Sequence, residues 1–259
     1  MISKNLIIDI MEEIAPTSLA EDWDNVGMVV DINENINGAL IVVDVTKSSI
    51  IEAKEKGANL IISHHPLMFN AIKSICSDDV VYYAIKNDIS VYCAHTNMDL
   101  AKNGLNQKLA QLIGLCDIKL LSNKEEEYAF GRVGLLESET KLKDLAVRVK
   151  NVLDIEAVRV MGDKEKIISK VAVCSGNGSE FISEAINIGA QVIITSEVKH
   201  NIYVDNIESG ICIIDAGHYD TEKHFVNMIR KSLQESLSDI QYNLQVFISE
   251  KENRPYWTI

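Results

Sequence analysis

The sequence has 259 residues, of which 47% are hydrophobic and 24% are charged. This composition is that of a folded globular protein and excludes a disordered chain, and the length allows one large domain or two ordinary ones. The 25 Lys and Arg residues against 38 Asp and Glu residues leave a formal net charge of −13. A chain this acidic repels the phosphate backbone, which argues against a nucleic-acid-binding protein.

The apolar segments and the cysteines predict a location in the reducing cytoplasm, away from membranes. No apolar stretch approaches the ~18 residues of a membrane span, and the N-terminus lacks the apolar core of a signal peptide. The five cysteines form no Cys-x-x-Cys pair, and Cys93, Cys174 and Cys212 lie in apolar, strand-like runs. We therefore expect buried free thiols rather than disulfides or a zinc site.

Hydrophobic periodicity predicts strands that alternate with helices along the whole chain. Ser3 and Thr46 are positioned to cap the first two helices. The predicted helices cover residues 6–14, 46–57, 80–86, 104–113, 141–152, 179–188 and 221–233, with a short one before Gly210. The predicted strands cover residues 28–30, 39–43, 60–62, 89–94, 130–136, 158–161, 168–174, 192–195, 211–214 and 242–248. The apolar strands favour an α/β fold with a mainly parallel sheet covered on both faces.

The two halves of the chain resemble each other at an offset of 132 residues. Residues 57–63 read Gly-Ala-Asn-Leu-Ile-Ile-Ser, and residues 189–195 read Gly-Ala-Gln-Val-Ile-Ile-Thr. Helix–glycine–strand joints commonly look alike. A duplication is favoured because Glu52-Ala53 is matched by Glu184-Ala185, and Ala94-His95 compares with Ala216-Gly217-His218. Two similar α/β units would then direct the residues after their strands into one cleft. The acidic run at residues 125–127 is the best candidate for a boundary.

Three clusters of polar residues follow predicted strands, at the point where each strand ends. They are Ser63-His64-His65-Pro66, His95-Thr96-Asn97-Met98-Asp99 and His218-Tyr219-Asp220-Thr221-Glu222. If Asp220 begins a helix, His218 and Glu222 lie on opposite sides of its cap and first turn. Four of the six histidines therefore occupy strand ends, which random surface scatter would not usually produce.

Imidazole and carboxylate groups in these clusters are suitable ligands for zinc, manganese, iron or cobalt. Five ligands are too many for one tetrahedral catalytic zinc, but they fit two metal ions that share a carboxylate and water. The five are His64, His65, Asp99, His218 and Glu222. A satisfied polar cluster and an acid–base site without metal are the alternatives.

Two further segments leave their role open. Residues 174–179, Cys-Ser-Gly-Asn-Gly-Ser, join a strand to a helix, so they could bind an anion or form a plain tight turn. Glu197, in Ser196-Glu197-Val198-Lys199-His200, corresponds by the internal repeat to His64 or His65. It could carry protons, hold a metal ligand in place or simply be solvated.

Seven motifs follow one another along the chain. They are Trp23-Asp24-Asn25-Val26-Gly27, Asp44-Val45-Thr46, residues 63–66, residues 95–99, Ser175-Gly176-Asn177-Gly178, residues 196–200 and Gly217-His218-Tyr219-Asp220-Thr221-Glu222. In this order they resemble the Nif-three-like family, whose members are often labelled GTP cyclohydrolase 1 type 2 homologs. Asn177, Ser196 and Asp220 depart from the family pattern, which has glycine at the first two positions and alanine at the third. The short length resembles the family form without a central inserted domain.

The resemblance implies two three-layer α/β lobes that face each other across a metal-binding cleft, and a ring-shaped hexamer. We expect the first lobe to span residues 1–125, completed by 215–259, and the second to span 126–214. The implied cofactors are two divalent ions per subunit, zinc, manganese or iron, bound by the five residues given above, with Glu222 bridging.

The implied activity is metal-dependent hydrolysis of a small molecule such as a nucleotide, a cyclic amide or a phosphoester. His95 and Glu197 would move protons. The alternative is a non-enzymatic protein that handles or senses metal or serves as an oligomeric scaffold. A DNA-binding regulator fits the net charge of −13 badly.

Overall fold

The computed structural model describes residues 1–122 and 127–257, and it confirms the α/β class. The strands are β1 (Ile2–Ser3), β2 (Gly27–Val30), β3 (Asn35–Ile36), β4 (Gly38–Val42), β5 (Leu60–Ser63), β6 (Ser90–Cys93), β7 (Leu115–Leu120), β8 (Arg132–Lys141), β9 (Arg159–Met161), β10 (Ile167–Val173), β11 (Val192–Thr195), β12 (Cys212–Asp215) and β13 (Gln245–Ile248). The helices are α1 (Lys4–Ile14), α2 (Lys47–Glu55), α3 (Val80–Lys86), α4 (Thr96–Leu100), α5 (Leu105–Ile113), α6 (Leu142–Val152), α7 (Ile182–Asn187), α8 (His200–Asp205), α9 (His218–Glu222) and α10 (Phe225–Asp239). Short 3₁₀ turns lie at Thr17–Leu19 and Ser179–Phe181.

The chain forms two compact units. The first contains Met1–Ala101 and Phe225–Asn253, and the second contains Lys102–His224 with the segment from Arg254 onward. Helix α5 and strand β7 belong to the second unit because β7 pairs with β8. The lobe boundaries at 125/126 and 214/215 stay a prediction, and residues 125 and 126 lie outside the described part of the chain.

The first unit contains a five-stranded sheet in the order β13-β4-β5-β6-β2. Strands β13, β4, β5 and β6 are parallel, and only the edge strand β2 runs antiparallel to its neighbour. All residues of β4, β5 and β6 are buried. Such burial is expected of parallel strands covered on both faces, and it explains why their sequences are apolar throughout.

The predicted caps begin the first two helices. The Ser3 hydroxyl accepts a hydrogen bond from the Asn5 amide at the start of α1. Thr46 and Ser49 form a reciprocal capping box at the start of α2, in which each side chain binds the other residue's amide. These bonds satisfy amide groups that the first turn of a helix leaves without a partner.

The second unit contains a six-stranded sheet in the order β7-β8-β10-β11-β12-β9. Strands β10, β11 and β12 are parallel, as predicted. The prediction of a mainly parallel sheet is wrong for the rest of this sheet, because β7, β8 and β9 pair antiparallel with their neighbours. The long strand β8 lies between β7 and β10 and pairs antiparallel with both.

The internal repeat corresponds to the same local structure in each unit. Gly57 after α2 and Gly189 after α7 have φ angles of +73° and +74°, the left-handed conformation that ends a helix. The strand that follows each glycine, β5 or β11, lies between two parallel neighbours at the centre of its sheet. The repeated sequence therefore marks repeated topology.

The prediction of buried thiols is confirmed for the three cysteines that lie in apolar runs. Cys93, Cys174 and Cys212 are buried thiols, whereas Cys76 and Cys116 are exposed. Burial raises the pKa of the Cys93 thiol well above its ordinary value. Among the described residues, no helix combines the length and apolar character needed to cross a bilayer.

Glu52 joins helix α2 to the segment that follows β13. Its carboxylate is 2% exposed and accepts hydrogen bonds from the Ser249 hydroxyl at 2.5 Å and the Glu250 amide at 2.8 Å. We expect Glu52→Ala to lower the free energy of unfolding by about 2–3 kcal/mol, since it removes a buried charged acceptor from two part-buried donors. Chemical denaturation of the purified variants measures this change.

Glu55→Ala is the matched control, because Glu55 lies on the same helix and its exposed carboxylate forms an ion pair, 2.7 Å from Lys251 Nζ. Its loss should cost less than about 1 kcal/mol. Burial opposes ionisation of Glu52, but the hydrogen bonds from Glu250 and Ser249 prevail and lower its pKa. The stabilisation is therefore present above the unfolded-state pKa of about 4.3 and is lost as pH falls through the folded pKa. Equal losses for the two variants at pH 7 would contradict the assignment.

Candidate metal centre

The carboxyl ends of β5 and β6 position three histidines in the first unit. The backbone ladder continues past β5, since the His64 amide donates to Val42 O at 3.2 Å and the His65 amide donates to Val43 O at 2.9 Å. His95 lies just beyond β6 and precedes helix α4. Because β5 and β6 are parallel neighbours, their ends place these residues at one edge of the sheet.

The three imidazole rings lie side by side. The His64 ring centroid is 5.1 Å from that of His65 and 5.3 Å from that of His95, and the remaining pair is 5.7 Å apart. One ligand atom from each ring lies within 4.8 Å of the other two, so the group could hold a metal ion. His64 is fully buried, and the other two rings are partly exposed.

In each ring, the Nδ1 atom lies within hydrogen-bond distance of an oxygen atom. Nδ1 of His64 lies 2.9 Å from the Ala94 carbonyl, that of His65 lies 2.8 Å from Asp44 Oδ1, and that of His95 lies 3.0 Å from Asp24 Oδ1. In the neutral rings the proton is then on Nδ1, and the lone pair that binds a metal is on Nε2. Histidines that bind metals are usually oriented in this way.

The side chain of Asp24 is fully buried, and its carboxylate binds His95. Its carboxylate also accepts hydrogen bonds from the Thr96 amide at 3.0 Å and the Thr96 hydroxyl at 2.5 Å. Burial raises the pKa of this carboxyl, but the hydrogen bonds from His95 and Thr96 outweigh it and lower the pKa to about 2. Asp24 is therefore a fixed negative charge beside the His95 imidazole.

Asp99 lies close to this group on the short helix α4. Its Oδ1 atom is 4.0 Å from Nε2 of His64. The backbone amide of Asp99 donates to the His95 carbonyl at 3.1 Å, which ties the position of Asp99 to His95. The structure thus brings together the three ligands predicted in this unit, His64, His65 and Asp99, and adds His95, which the sequence predicted as a proton carrier.

The second unit places His218 and Glu222 on helix α9, with Nε2 of His218 3.1 Å from Glu222 Oε2. The expectation that they lie on opposite sides of a cap and first turn is wrong. The helix begins at His218, so the two residues are one turn apart on one face. Gly217, at φ +83°, allows the chain to turn directly into this helix after β12.

Glu197 lies on the other side of the His218 ring, with its Oε2 atom 3.2 Å from Nδ1. Its carboxylate is largely exposed. Of the three roles left open by the sequence, this contact favours a residue that orients a metal ligand. The contact is also compatible with proton transfer at His218.

The glycine-rich loop supports helix α9 rather than offering its amides to an anion. Side-chain oxygens already accept hydrogen bonds from the amides of Ser175, Gly176 and Gly178, at 2.7, 3.0 and 2.8 Å. Gly176 has a φ of +58°, and a Cβ atom there would clash with Oε1 of Glu222. The tight-turn interpretation therefore agrees with the structure.

Three acidic residues near the histidines had no role assigned from the sequence. Asp24 and Asp44 belong to two of the seven family motifs, and their place in those motifs could have identified them. Glu252 has no such signal, yet its carboxylate accepts hydrogen bonds from the Val43 amide at 2.9 Å and the Asp44 amide at 2.7 Å. Burial raises the pKa of Glu252. Through its hydrogen bonds to the Val43 and Asp44 amides, Glu252 supports the loop that carries Asp44, the partner of His65.

Fold and site together define an α/β protein with a histidine-rich group that could hold a metal ion. The family model Duf34/NIF3 (NGG1p interacting factor 3) matches residues 2–255. The chain belongs to this family, which confirms the resemblance found in the motifs. The name NGG1p interacting factor 3 describes the family and assigns no partner to this chain.

Individual relatives agree with this assignment. A protein of Clostridium acetobutylicum named GTP cyclohydrolase 1 type 2 homolog is 36% identical, with 96% of each chain covered. A crystal structure of a Staphylococcus aureus hypothetical protein has a TM-score of 0.93 at 26% identity, and covers 100% of this chain and 99% of its own. A Bacillus cereus protein related to NIF3 has a TM-score of 0.92 at 25% identity, with 99% of each chain covered.

Proposed function

We propose that this protein binds two divalent metal ions and uses them to hydrolyse a small molecule. The proposed ligands are His64, His65, Asp99, His218 and Glu222, with Glu222 bridging, as the family pattern implies. The observation that carries the proposal is that two of these ligands, His64 and His65, lie with His95 in a group whose ligand atoms are within 4.8 Å of one another. A divalent cation binds the neutral form of an imidazole, and closely spaced rings are suited to it.

The donor set fits zinc, manganese or iron. The rings of His64 and His65 each have the Nδ1 atom on a carbonyl or carboxylate oxygen, which orients the ring for a metal. The carboxylates of Asp99 and Glu222 are each within 4.0 Å of an imidazole nitrogen. Cysteine thiolates, the usual ligands of a closed structural zinc site, are absent from these described groups.

The residues around the ligands have a defined part in the proposed reaction. Bound metal ions would lower the pKa of a coordinated water towards ~7. His95 would carry a proton, since Asp24 Oδ1, 3.0 Å from its Nδ1 atom, orients the ring beside His64 and His65. Glu197, 3.2 Å from Nδ1 of His218, would hold that ligand and exchange protons with solvent.

The substrate class follows from the relatives rather than from the ligands. Curated relatives are named GTP cyclohydrolase 1 type 2 homologs, and we therefore propose a nucleotide as the first substrate to test. A homohexamer in the cytoplasm is part of the same proposal. The family resemblance supports the hexamer, and the buried thiols of Cys93 and Cys212 support the location.

Elemental analysis of the purified protein tests the proposal. We expect about two ions per chain after loading with zinc, manganese or iron and gel filtration, together with hydrolysis of GTP, a phosphoester or a cyclic amide. Sedimentation measures the hexamer in the same preparation. A chain that retains no metal would contradict the metal centre. Retained metal without hydrolysis of any of these substrates would instead favour the metal-handling alternative.

A further inference from the structure

Two aromatic side chains of the first unit are stacked on each other and exposed to solvent. Trp23 is 54% exposed and Phe69 is 53% exposed. Their ring centroids are 5.5 Å apart, with an angle of 29° between the ring planes. Large aromatic rings exposed together are unusual on a protein surface and commonly mark a binding site.

The loops that carry this aromatic pair are held in place without burying the rings. The Asn25 side-chain amide donates to the Met68 carbonyl at 2.8 Å, which links the loop of Trp23 to the loop of Phe69. The neighbouring Asp24 carboxylate is fixed by its bonds to Thr96 and His95. A pair fixed in this way loses little conformational freedom when it binds a ligand.

The aromatic pair lies against the imidazole group. The His95 ring makes edge contacts with both aromatic rings, at centroid distances of 6.2 Å to Trp23 and 6.1 Å to Phe69. A ligand on the pair would therefore lie beside His95 and the two histidines packed against it. This position distinguishes the pair from a solvent-exposed patch far from any chemistry.

A cavity in the same unit provides polar groups next to Phe69 in the chain. Its volume is about 520 Å³, within the range of small-molecule sites. His65 lines it, together with Met68 and Asn70 on either side of Phe69, and with Lys73 and Ser74. The carboxylates of Asp44 and Asp79 also line it, so the cavity offers both donors and acceptors to the polar part of a ligand whose ring contacts the aromatic pair.

We propose that Trp23 and Phe69 form a stacking site for a planar aromatic heterocycle of the purine class. A flat ring matches the exposed faces of two stacked side chains, and bases stack on aromatic side chains without needing a specific hydrogen-bond pattern. Hydrolysis of the bound heterocycle rests on the proposed function, whereas its binding does not. Binding itself is testable without metal, so the two can fail separately.

The fluorescence of Trp23 gives a direct test. The chain has two tryptophans, so Trp257→Phe leaves Trp23 as the only one. We expect GTP, added in the presence of a chelator, to quench this fluorescence saturably. Inorganic tripolyphosphate, which lacks the ring, should leave it unchanged. Quenching by neither ligand, or equally by both, would overturn the stacking site.

Equilibrium dialysis measures how much the Trp23 ring contributes to the affinity for GTP. We expect Trp23→Ala to raise the Kd about 5- to 150-fold, the range for base-stacking aromatic side chains, and Trp23→Phe to restore most of the affinity. Tyr82→Ala, at an exposed aromatic residue on helix α3, is the matched control and should bind as the unsubstituted protein does. Equal affinity for Trp23→Ala and the unsubstituted protein would overturn the proposal.

Metal content in the same samples separates the two proposals. We expect Trp23→Ala to retain the metal content of the unsubstituted protein, because Trp23 is not among the proposed ligands. Loss of GTP binding with metal retained supports the stacking site. GTP binding that depends on Trp23 in a protein that holds no metal would support the stacking site and contradict the metal-dependent hydrolase.

Discussion

His64→Gln is expected to weaken metal binding by more than about 100-fold. Changing a residue that only hydrogen-bonds to a ligand costs up to about 100-fold, and loss of the ligand itself should cost more. The imidazole is fully buried, held by the Ala94 carbonyl, and 4.0 Å from Asp99. Glutamine has a similar volume, so the fold should be retained while the imidazole nitrogen is lost. Competition with a chromophoric chelator gives the affinity, and circular dichroism gives the fold.

His200→Gln is the control for this variant. His200 is an exposed histidine at the first residue of α8 and is not one of the proposed ligands. We expect its metal affinity and stoichiometry to match those of the unsubstituted protein. Equal metal binding by His64→Gln and His200→Gln would remove His64 from the ligand set. Glu222→Gln, which keeps the shape of the bridging residue, extends the test to the second unit.

Gly176→Ala is expected to weaken metal binding by about 10-fold or more, the loss typical when the support of a ligand is disturbed. The added Cβ atom would clash with Oε1 of Glu222 and lie 3.4 Å from Nε2 of His218. The Glu222 side chain can rotate away from this clash at low cost in stability, but it then leaves the position from which it would bind a metal. The effect should therefore appear in metal affinity more than in unfolding.

Gly189→Ala separates the contact from backbone strain. Both glycines have a positive φ, +58° at Gly176 and +74° at Gly189, so both substitutions strain the backbone by roughly 1–2 kcal/mol. An added Cβ at Gly189 meets nothing within 4 Å. We expect similar losses of stability in the two variants, with reduced metal affinity in Gly176→Ala alone. Reduced affinity in both would show that strain, rather than Glu222, is responsible.

The parts of the fold that depend on local pattern were predictable from the sequence. The buried strands β4, β5 and β6 are apolar throughout, and His64 and His65 follow β5 directly, so the strand and the polar pair were both visible. Caps such as Thr46 begin helices through bonds to near neighbours. Long periodic segments carry this information in the chain itself.

Features that depend on distant partners were not predictable. Helices α4 and α9 have five residues each, too short for a periodic signal, so the one-turn spacing of His218 and Glu222 was missed. Glu252 supports the loop of Asp44 across more than 200 positions of sequence. The antiparallel pairing of β8 with β7 and β10 depends on tertiary contacts, whereas strand pattern alone does not give strand direction.

The first unit is built from both ends of the chain, and this has a consequence for biosynthesis. Strand β13 completes the sheet by pairing with β4, and Glu52 and Glu252 bind the chain around it. During translation, β4 therefore has an open edge until residues 245–248 have left the ribosome. Most of the second unit is one continuous stretch, Lys102–His224, which leaves the ribosome before β13 and can fold first. The sheet that carries His64, His65 and His95 is therefore completed after the strands of the second unit have been made.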